Sequence, residues 1–247
     1  MPEYNILEKA GLPQTKERND VRVVDSAIRE VSKKLGFDYY DGSRTFGFGG
    51  YYYDGRWRRV AKVIKDRYGL HSGSKVFIDR DEKGFLGFDL RKLIPGIIVY
   101  SGHCSDYAIN HAMDGYGRWA LINGIEKNED PLIIESKARS EVIPFFIKVD
   151  NLNLLFKDNY FDCIISIHNI CNYEENECSK ALKELVRISK NNARDCYIQN
   201  DSWIDENGHA KLMQWVLICR TFLNNSEWEK LYNQEGYNGD WGFVMFK

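Results

Sequence analysis

The chain lacks the features that mark secreted, membrane-spanning and metal-binding proteins. Its start, Met1 to Tyr4, has no basic segment followed by an apolar one, and no apolar run reaches the length that spans a bilayer. The six cysteines form no CxxC pair, and His103, His111 and His168 have no histidine at helical i, i+4 spacing. Secretion, membrane insertion and a metal site are therefore not expected, and a reducing cytoplasm fits the dispersed thiols best.

An excess of charge of either sign is also missing. The net charge is -2 and the pI about 6.2, so no global attraction to nucleic acid or to an anionic membrane is expected. The basic clusters Lys33-Lys34 and Arg56 to Arg59 are more typical of solvated faces. With 247 residues, 43% of them hydrophobic, the chain can form one sizeable core. Small molecules are the favoured ligands, and nucleic acid is not.

Short apolar runs alternate with segments of helical spacing along most of the chain. The predicted strands are Val76–Ile78, Ile97–Tyr100, Ile143–Val149, Cys163–Ile167, Cys196–Gln199 and Trp241–Phe246. The predicted helices are Ser26–Leu35, Val60–Tyr68, Gly84–Leu93, Tyr107–Met113, Cys178–Ser189, Trp215–Phe222 and Ser226–Glu235. Continuous apolar strands indicate burial on both faces of a parallel sheet. The prediction is an α/β fold with a mostly parallel open sheet, helices on both faces, and ligands at the strands' carboxyl ends.

Two regions stand apart from this alternation. Residues 1–58 are predicted to form an N-terminal cap and a glycine- and tyrosine-rich lid, and residues 59–247 the α/β domain. The lid segment, Phe46–Trp57, either covers a substrate or packs as a flap over the end of the sheet. The insertion at 114–140 is either a lid, a contact surface or a disordered loop.

Three segments resemble a known family. Lys83–Leu86 is similar to the end of its first motif, Ser105–Ile109 to the segment after its second strand, and Leu154–Asp162 to its L-P-F-x-D-N-S-F-D run. The chain thus resembles the class I S-adenosylmethionine-dependent methyltransferases from Phe46 to Phe246, which implies their Rossmann-like fold. Phe46–Trp57 further resembles a subgroup of small-molecule and sugar methyltransferases from bacterial surface-polysaccharide gene clusters.

The family binds its cofactor through D-x-G-x-G-x-G, and this motif is altered here. Alignment on Lys83-Gly84 puts Ile78 at the acidic position and Arg80 and Glu82 at the first two glycines. Because glycine permits positive φ and close approach of a ligand, these long side chains either occupy the cofactor pocket or refold the turn. Asp79 lies one residue out of register and is a potential anchor.

The other cofactor positions that the resemblance implies are only partly kept. His103 aligns with the acidic residue that grips the ribose hydroxyls, and a neutral imidazole offers one acceptor in its place. Asp150 matches the acidic adenine-binding position, while Asn151 replaces an apolar residue. The predicted cofactor-binding residues are Asp79, Gly84, His103, Asp150 and Asn151.

The remaining site residues are assigned by position. His168 follows the fourth strand, where it either acts as a general base or caps the loop, and Asn172 either orients a substrate or closes a turn. Tyr53 and Arg56 of the lid are predicted substrate contacts.

Three functions remain open. The first is a methyltransferase-like protein with an eroded S-adenosylmethionine site, acting as a non-catalytic or regulatory partner of an active relative in surface-carbohydrate biosynthesis. The second is an active S-adenosylmethionine-dependent O-methyltransferase acting on a sugar or a phosphorylated small molecule, with His168 as base. The third is a module for another ligand, such as a nucleotide sugar whose phosphates meet Arg80.

Overall fold

The computed structural model describes residues 3–12, 24–103, 105–150 and 152–246. Its single six-stranded sheet has the order β3-β2-β1-β4-β5-β6, and all neighbouring strands are parallel. The strands are β1 (Lys75–Asp79), β2 (Ile98–His103), β3 (Phe146–Lys148), β4 (Cys163–Ile167), β5 (Tyr197–Trp203) and β6 (Asp240–Phe246). The predicted α/β class with an open, mostly parallel sheet is confirmed.

Helices precede and connect these strands, with α1 to α4 before β1. They are α1 (Ile6–Lys9), α2 (Ser26–Ser32), α3 (Phe37–Tyr40), α4 (Arg56–Tyr68), α5 (Phe85–Leu93), α6 (Asp106–Asn110), α7 (Tyr116–Ile122), α8 (Pro131–Val142), α9 (Glu175–Ile188), α10 (Glu206–Trp215) and α11 (Asn225–Gln234). Short 3-10 turns occur at Ile143–Phe145, Ile170–Asn172 and Asn191–Ala193. Within the described ranges, none of the helices combines the length and apolar character needed to cross a bilayer.

The two faces of the sheet carry separate apolar cores. Phe77 of β1 belongs to the cluster that holds the inner stripe of α9, including Leu182. Its neighbours Val76 and Ile78 point to the opposite face, into the cluster formed with α1, α4 and α5. This alternation follows from the period of two along a strand, so helices cover both faces.

The central pair of the sheet sets the place for a site. The chain passes from β1 to β2 and β3 on one side, and then returns to place β4 on the other side of β1. Loops that leave β1 and β4 therefore diverge, which opens a crevice beyond their carboxyl ends. Every loop at this crevice arrives from a strand that is fixed on both edges by its neighbours.

The structure corrects one predicted helix and defines the insertion. A helix at Trp215–Phe222 is wrong, because α10 ends at Trp215 and residues 216–222 run without helical hydrogen bonds. The amide groups of Arg220 and Thr221 instead donate to the carbonyl of Cys171, so the apolar spacing there reflects packing against the loop after β4. The 114–140 segment contains α7 and most of α8, which pack on each other.

Candidate functional site

The loop after β1 keeps left-handed backbone at three alternate positions. The φ angles are +69° at Arg80, +48° at Glu82 and +82° at Gly84. These are the positions that the sequence alignment equates with the glycines of the cofactor motif. Non-glycine residues pay a steric cost of about 1 kcal/mol or more in this region. The loop thus has the backbone of a glycine-rich turn while carrying two long charged side chains.

Those two side chains turn into the crevice and pair with each other. Arg80 Nε lies 2.8 Å from Glu82 Oε1, and the side chains are only 5% and 18% exposed. The Tyr40 hydroxyl donates a hydrogen bond to Glu82 from the cap. Both residues line a cavity over the carboxyl ends of β1, β4 and β5, which is named the main cavity. The loop therefore presents these two side chains to the cavity while it keeps a left-handed backbone at both positions.

The N-terminus of α5 already holds an anion that belongs to the protein. The Asp81 carboxylate accepts from the amides of Leu86 (3.2 Å) and Gly87 (2.9 Å) and from the Ser101 hydroxyl (2.7 Å). Burial raises the pKa of Asp81 to about 6, although these hydrogen bonds act in the opposite direction. Free amides at a helix N-terminus bind phosphate or carboxylate groups of ligands. Here an internal carboxylate satisfies them.

Asp79 faces the neighbouring strand. It is the last residue of β1, is fully buried, and accepts from the Ser166 hydroxyl (2.7 Å) and the Asn169 amide (2.8 Å). These bonds join the ends of β1 and β4, the two strands that flank the crevice. Asp79 does not line the main cavity among the described residues.

Three further predicted cofactor residues, Gly84, His103 and Asp150, lie outside the cavity lining. His103 ends β2 and is buried against Phe146, with ring centroids 5.9 Å apart, and burial lowers the pKa of its imidazole. Asp150 is exposed and accepts from the Leu152 amide at 3.0 Å. Gly84 also lies toward Phe146, and Asn151 falls outside the described residues. The structure therefore does not gather Gly84, His103 and Asp150 around the cavity.

The main cavity has a volume of about 630 Å³ and lies over the carboxyl ends of β1, β4 and β5. The cap supplies one wall, the loops after β1 and β4 supply the floor, and residues 215–219 supply the opposite wall. Its aromatic lining residues are Tyr39, Phe48, Tyr51, Tyr52, Trp57, Phe85 and Trp215. This volume is in the range of pockets that hold a small organic ligand.

His168 lies in the floor of this cavity beside an acid that the sequence did not reveal. Its Nδ1 is 3.3 Å from Oδ2 of Asp201 in β5, and both residues line the cavity. The His168 backbone adopts φ +52°, and its amide donates to the Gln199 carbonyl at 2.8 Å. The predicted fifth strand ended at Gln199, two residues short of Asp201. A predicted fifth strand that extended to Asp201 would have placed this acid beside His168.

The three predicted substrate residues have different places. Asn172 lines the cavity, and its side-chain amide donates to the His168 carbonyl at 2.9 Å, which holds the loop. Arg56 lines the cavity at its rim and bonds Asp54 through Nε at 2.7 Å. Tyr53 is buried outside the cavity lining, where its hydroxyl donates to Asp89 at 2.5 Å.

A buried lysine fixes the cap to this region. The ammonium of Lys83 is fully buried and lies 2.8 Å from Asp41 of the cap and 3.0 Å from Asp114 of the insertion. Tyr107 also donates to Asp41 at 2.7 Å. Burial opposes ionisation of Asp41, but the hydrogen bonds from Lys83 and Tyr107 outweigh it and lower the pKa of this carboxyl. The loop after β1, the cap and the insertion therefore share one charged junction.

Comparisons with known proteins give one family match and several distant structural likenesses. Residues 102–194 match the model of a methyltransferase domain family. No curated protein sequence matches the chain. Three similar solved structures have TM-scores below 0.5 and identities of 12 to 17%, so they carry no inference about function.

The first is a complex of the Haloferax volcanii Trm112 methyltransferase activator with a protein described there as a candidate methyltransferase. It is 17% identical, covers 86% of this chain and 76% of its own, and has a TM-score of 0.49. The YcgJ protein of Bacillus subtilis is 14% identical, with coverage of 71% and 66% and a TM-score of 0.45. The mitomycin 7-O-methyltransferase MmcR is 12% identical at a TM-score of 0.45, and coverage is 73% of this chain but half (50%) of MmcR. The chain thus combines an all-parallel α/β sheet with a segment, residues 102–194, that is similar to a methyltransferase domain.

Proposed function

We propose that this is a class I methyltransferase-fold protein that has lost the S-adenosylmethionine site, and that it works without methyl transfer. The observation that carries the proposal is the loop after β1. Arg80 and Glu82 stand at positions with glycine-type backbone and fill the adjacent space with an ion pair. A methionine moiety cannot approach that backbone while these side chains are present.

Two polar features of the site argue in the same direction. The carboxylate of Asp81 takes the amides at the start of α5 that would otherwise meet the ligand. His103 ends β2 where a carboxylate is needed to hold both ribose hydroxyls. Each lost charged hydrogen bond costs roughly 1.5 to 3 kcal/mol, so two losses alone weaken binding by roughly a hundredfold or more. The residues present therefore do not fit S-adenosylmethionine.

The role that we propose is that of a non-catalytic or regulatory partner in surface-carbohydrate biosynthesis. Its support is the resemblance of Phe46–Trp57 to sugar methyltransferases from such gene clusters. An active methyltransferase relative is the partner that this role calls for. In this role the protein retains the methyltransferase fold, and the partner chain carries out methyl transfer.

An active O-methyltransferase is the second candidate, and one observation favours it. His168 lies in the cavity floor beside Asp201, an arrangement suited to taking a proton from a hydroxyl group. The filled loop argues more strongly against it, because a base has no methyl group to direct when the donor cannot bind.

Titration calorimetry with S-adenosylmethionine tests the proposal. The wild-type protein is expected to give no binding in the micromolar range. A triple variant, Arg80→Gly, Glu82→Gly and His103→Asp, clears the loop and restores the ribose carboxylate, and is expected to gain measurable affinity. His103→Asp alone is the matched control and should not bind, because the loop stays filled. Micromolar affinity of the wild type overturns the proposal.

A further inference from the structure

Hydrogen-bond donors and acceptors around the main cavity are arranged as pairs. Arg56 Nε lies 2.7 Å from Asp54, Arg80 lies 2.8 Å from Glu82, and His168 lies 3.3 Å from Asp201. All members of these pairs line the cavity. A ligand that enters meets donors and acceptors side by side on three walls.

The charge balance disfavours an anionic ligand. The guanidinium groups of the lining are outnumbered by its carboxyl groups: Arg44, Arg56 and Arg80 stand against Asp54, Asp81, Glu82 and Asp201. Arg44 donates to the carbonyls of Gly47 and Phe48 and stacks over Trp215 at 5.3 Å. A phosphate placed near Arg80 also meets Glu82 within the same pair, so repulsion offsets the attraction.

Neutral hydroxyl groups suit these pairs far better. A hydroxyl donates one hydrogen bond and accepts others, so it can bridge a guanidinium and its carboxylate without leaving either group unpaired. The aromatic walls, among them Tyr51, Trp57 and Trp215, offer flat apolar faces on which the C–H face of a ring can rest. A volume of about 630 Å³ accommodates such a ring with its substituents.

We propose that the main cavity binds an uncharged ring compound that carries several hydroxyl groups, with the three side-chain pairs as its hydrogen-bond partners. This inference rests on the proposed function, since a cavity free of the methyl donor is what leaves the space to such a ligand. A free sugar and the ribose part of a nucleoside share this chemistry.

Binding is measured by the fluorescence of the tryptophans, two of which, Trp57 and Trp215, line the cavity. The probes are glucose, galactose, rhamnose and adenosine, with glucose 1-phosphate and adenosine monophosphate as phosphorylated counterparts. At least one neutral probe should bind about tenfold more tightly than its phosphorylated counterpart. Comparison of the affinities for glucose and adenosine shows whether the ligand is a free sugar or a nucleoside.

One variant inverts the expected preference. Glu82→Gln keeps the shape and the acceptor for Tyr40 but removes the charge that balances Arg80. Affinity for the phosphorylated probe should rise about tenfold while the neutral probe changes little. The control is Glu129→Gln, which removes an exposed-surface partner of Lys137 and should change neither affinity.

Two results overturn the inference: tighter binding of a phosphorylated probe by the wild type, or no binding of any neutral probe. A titration with S-adenosylmethionine on the same sample separates this outcome from failure of the proposed function. Donor binding refutes the proposed function, whereas absence of both ligands refutes the ring-binding inference alone.

Discussion

Replacing Arg80 and Glu82 by glycine should be strongly non-additive. Arg80→Gly leaves the Glu82 carboxylate, which is 18% exposed, without its ion-pair partner. Removing one member of a buried pair costs about 3 kcal/mol at the lower end of the usual range. Glycine at position 80 removes backbone strain of about 1 kcal/mol, because Arg80 has a left-handed backbone. The single variant should therefore lose about 2 kcal/mol of unfolding free energy. Glu82→Gly strands the 5% exposed Arg80 and also removes the acceptor of the Tyr40 hydroxyl, at about 1 to 3 kcal/mol, so it should lose about 3 to 5 kcal/mol.

The double variant removes both charges at once. Strain relief at two positions contributes about 2 kcal/mol. The Tyr40 hydroxyl loses its acceptor, which costs about 1 to 3 kcal/mol. The double variant should therefore unfold within about 1 kcal/mol of the wild type, well below the sum of the single losses.

Urea unfolding of the wild type, both single variants and the double variant measures this coupling. The exposed pair Glu129 and Lys137 is the control, and its alanine cycle should be additive within about 0.5 kcal/mol. A double variant that loses the full sum of the single losses would show that Arg80 and Glu82 do not pair in the crevice. The argument for a filled cofactor pocket would then lose its basis.

Two further predictions concern buried charge. Lys83→Met should lose about 3 kcal/mol of unfolding free energy, because the buried carboxylate of Asp41 stays behind without its cation, whereas Asp114 keeps Arg139. The exposed Lys137→Met should lose less than about 1 kcal/mol, and equal losses would contradict the role of Lys83. Burial raises the pKa of Asp89 from 3.8 to about 7, so its native form holds a proton that the unfolded chain releases. Stability should therefore fall by about 1.4 kcal/mol per pH unit between these values from this group, and Asp89→Asn should flatten that slope. An unchanged slope in urea unfolding across about pH 4 to 7 rules out this assignment.

The sequence predicted the sheet well because its strands are buried on both faces. Continuous apolar runs such as Cys163–Ile167 leave no alternative to a central parallel strand. The helix predicted at Trp215–Phe222 failed for the opposite reason. Apolar spacing records which side chains are covered, and residues 216–219 are covered as a cavity wall, with no helical backbone beneath them.

The site was harder to predict because it depends on partners distant in the chain. The sequence marked His168 but gave no sign of Asp201, which approaches it only because β4 and β5 pair in register. Tyr53 was a predicted substrate contact, but in the structure its hydroxyl donates a hydrogen bond to Asp89. The predicted roles of Asp79, Gly84, His103 and Asp150 stay predictions, since these residues lie outside the cavity lining.

Local chemistry in the sequence determined the strands and most of the helices, and the resemblance to a family motif marked the three positions of the loop after β1 where glycine would be expected. Those properties depend on neighbours within a few residues, so one sequence suffices to read them. Only the tertiary structure decided that Arg80 and Glu82 turn into the crevice, because that outcome depends on Tyr40 from the cap. It also decided which charges balance each other around the cavity, since those distances are set by the packing of strands and cap together.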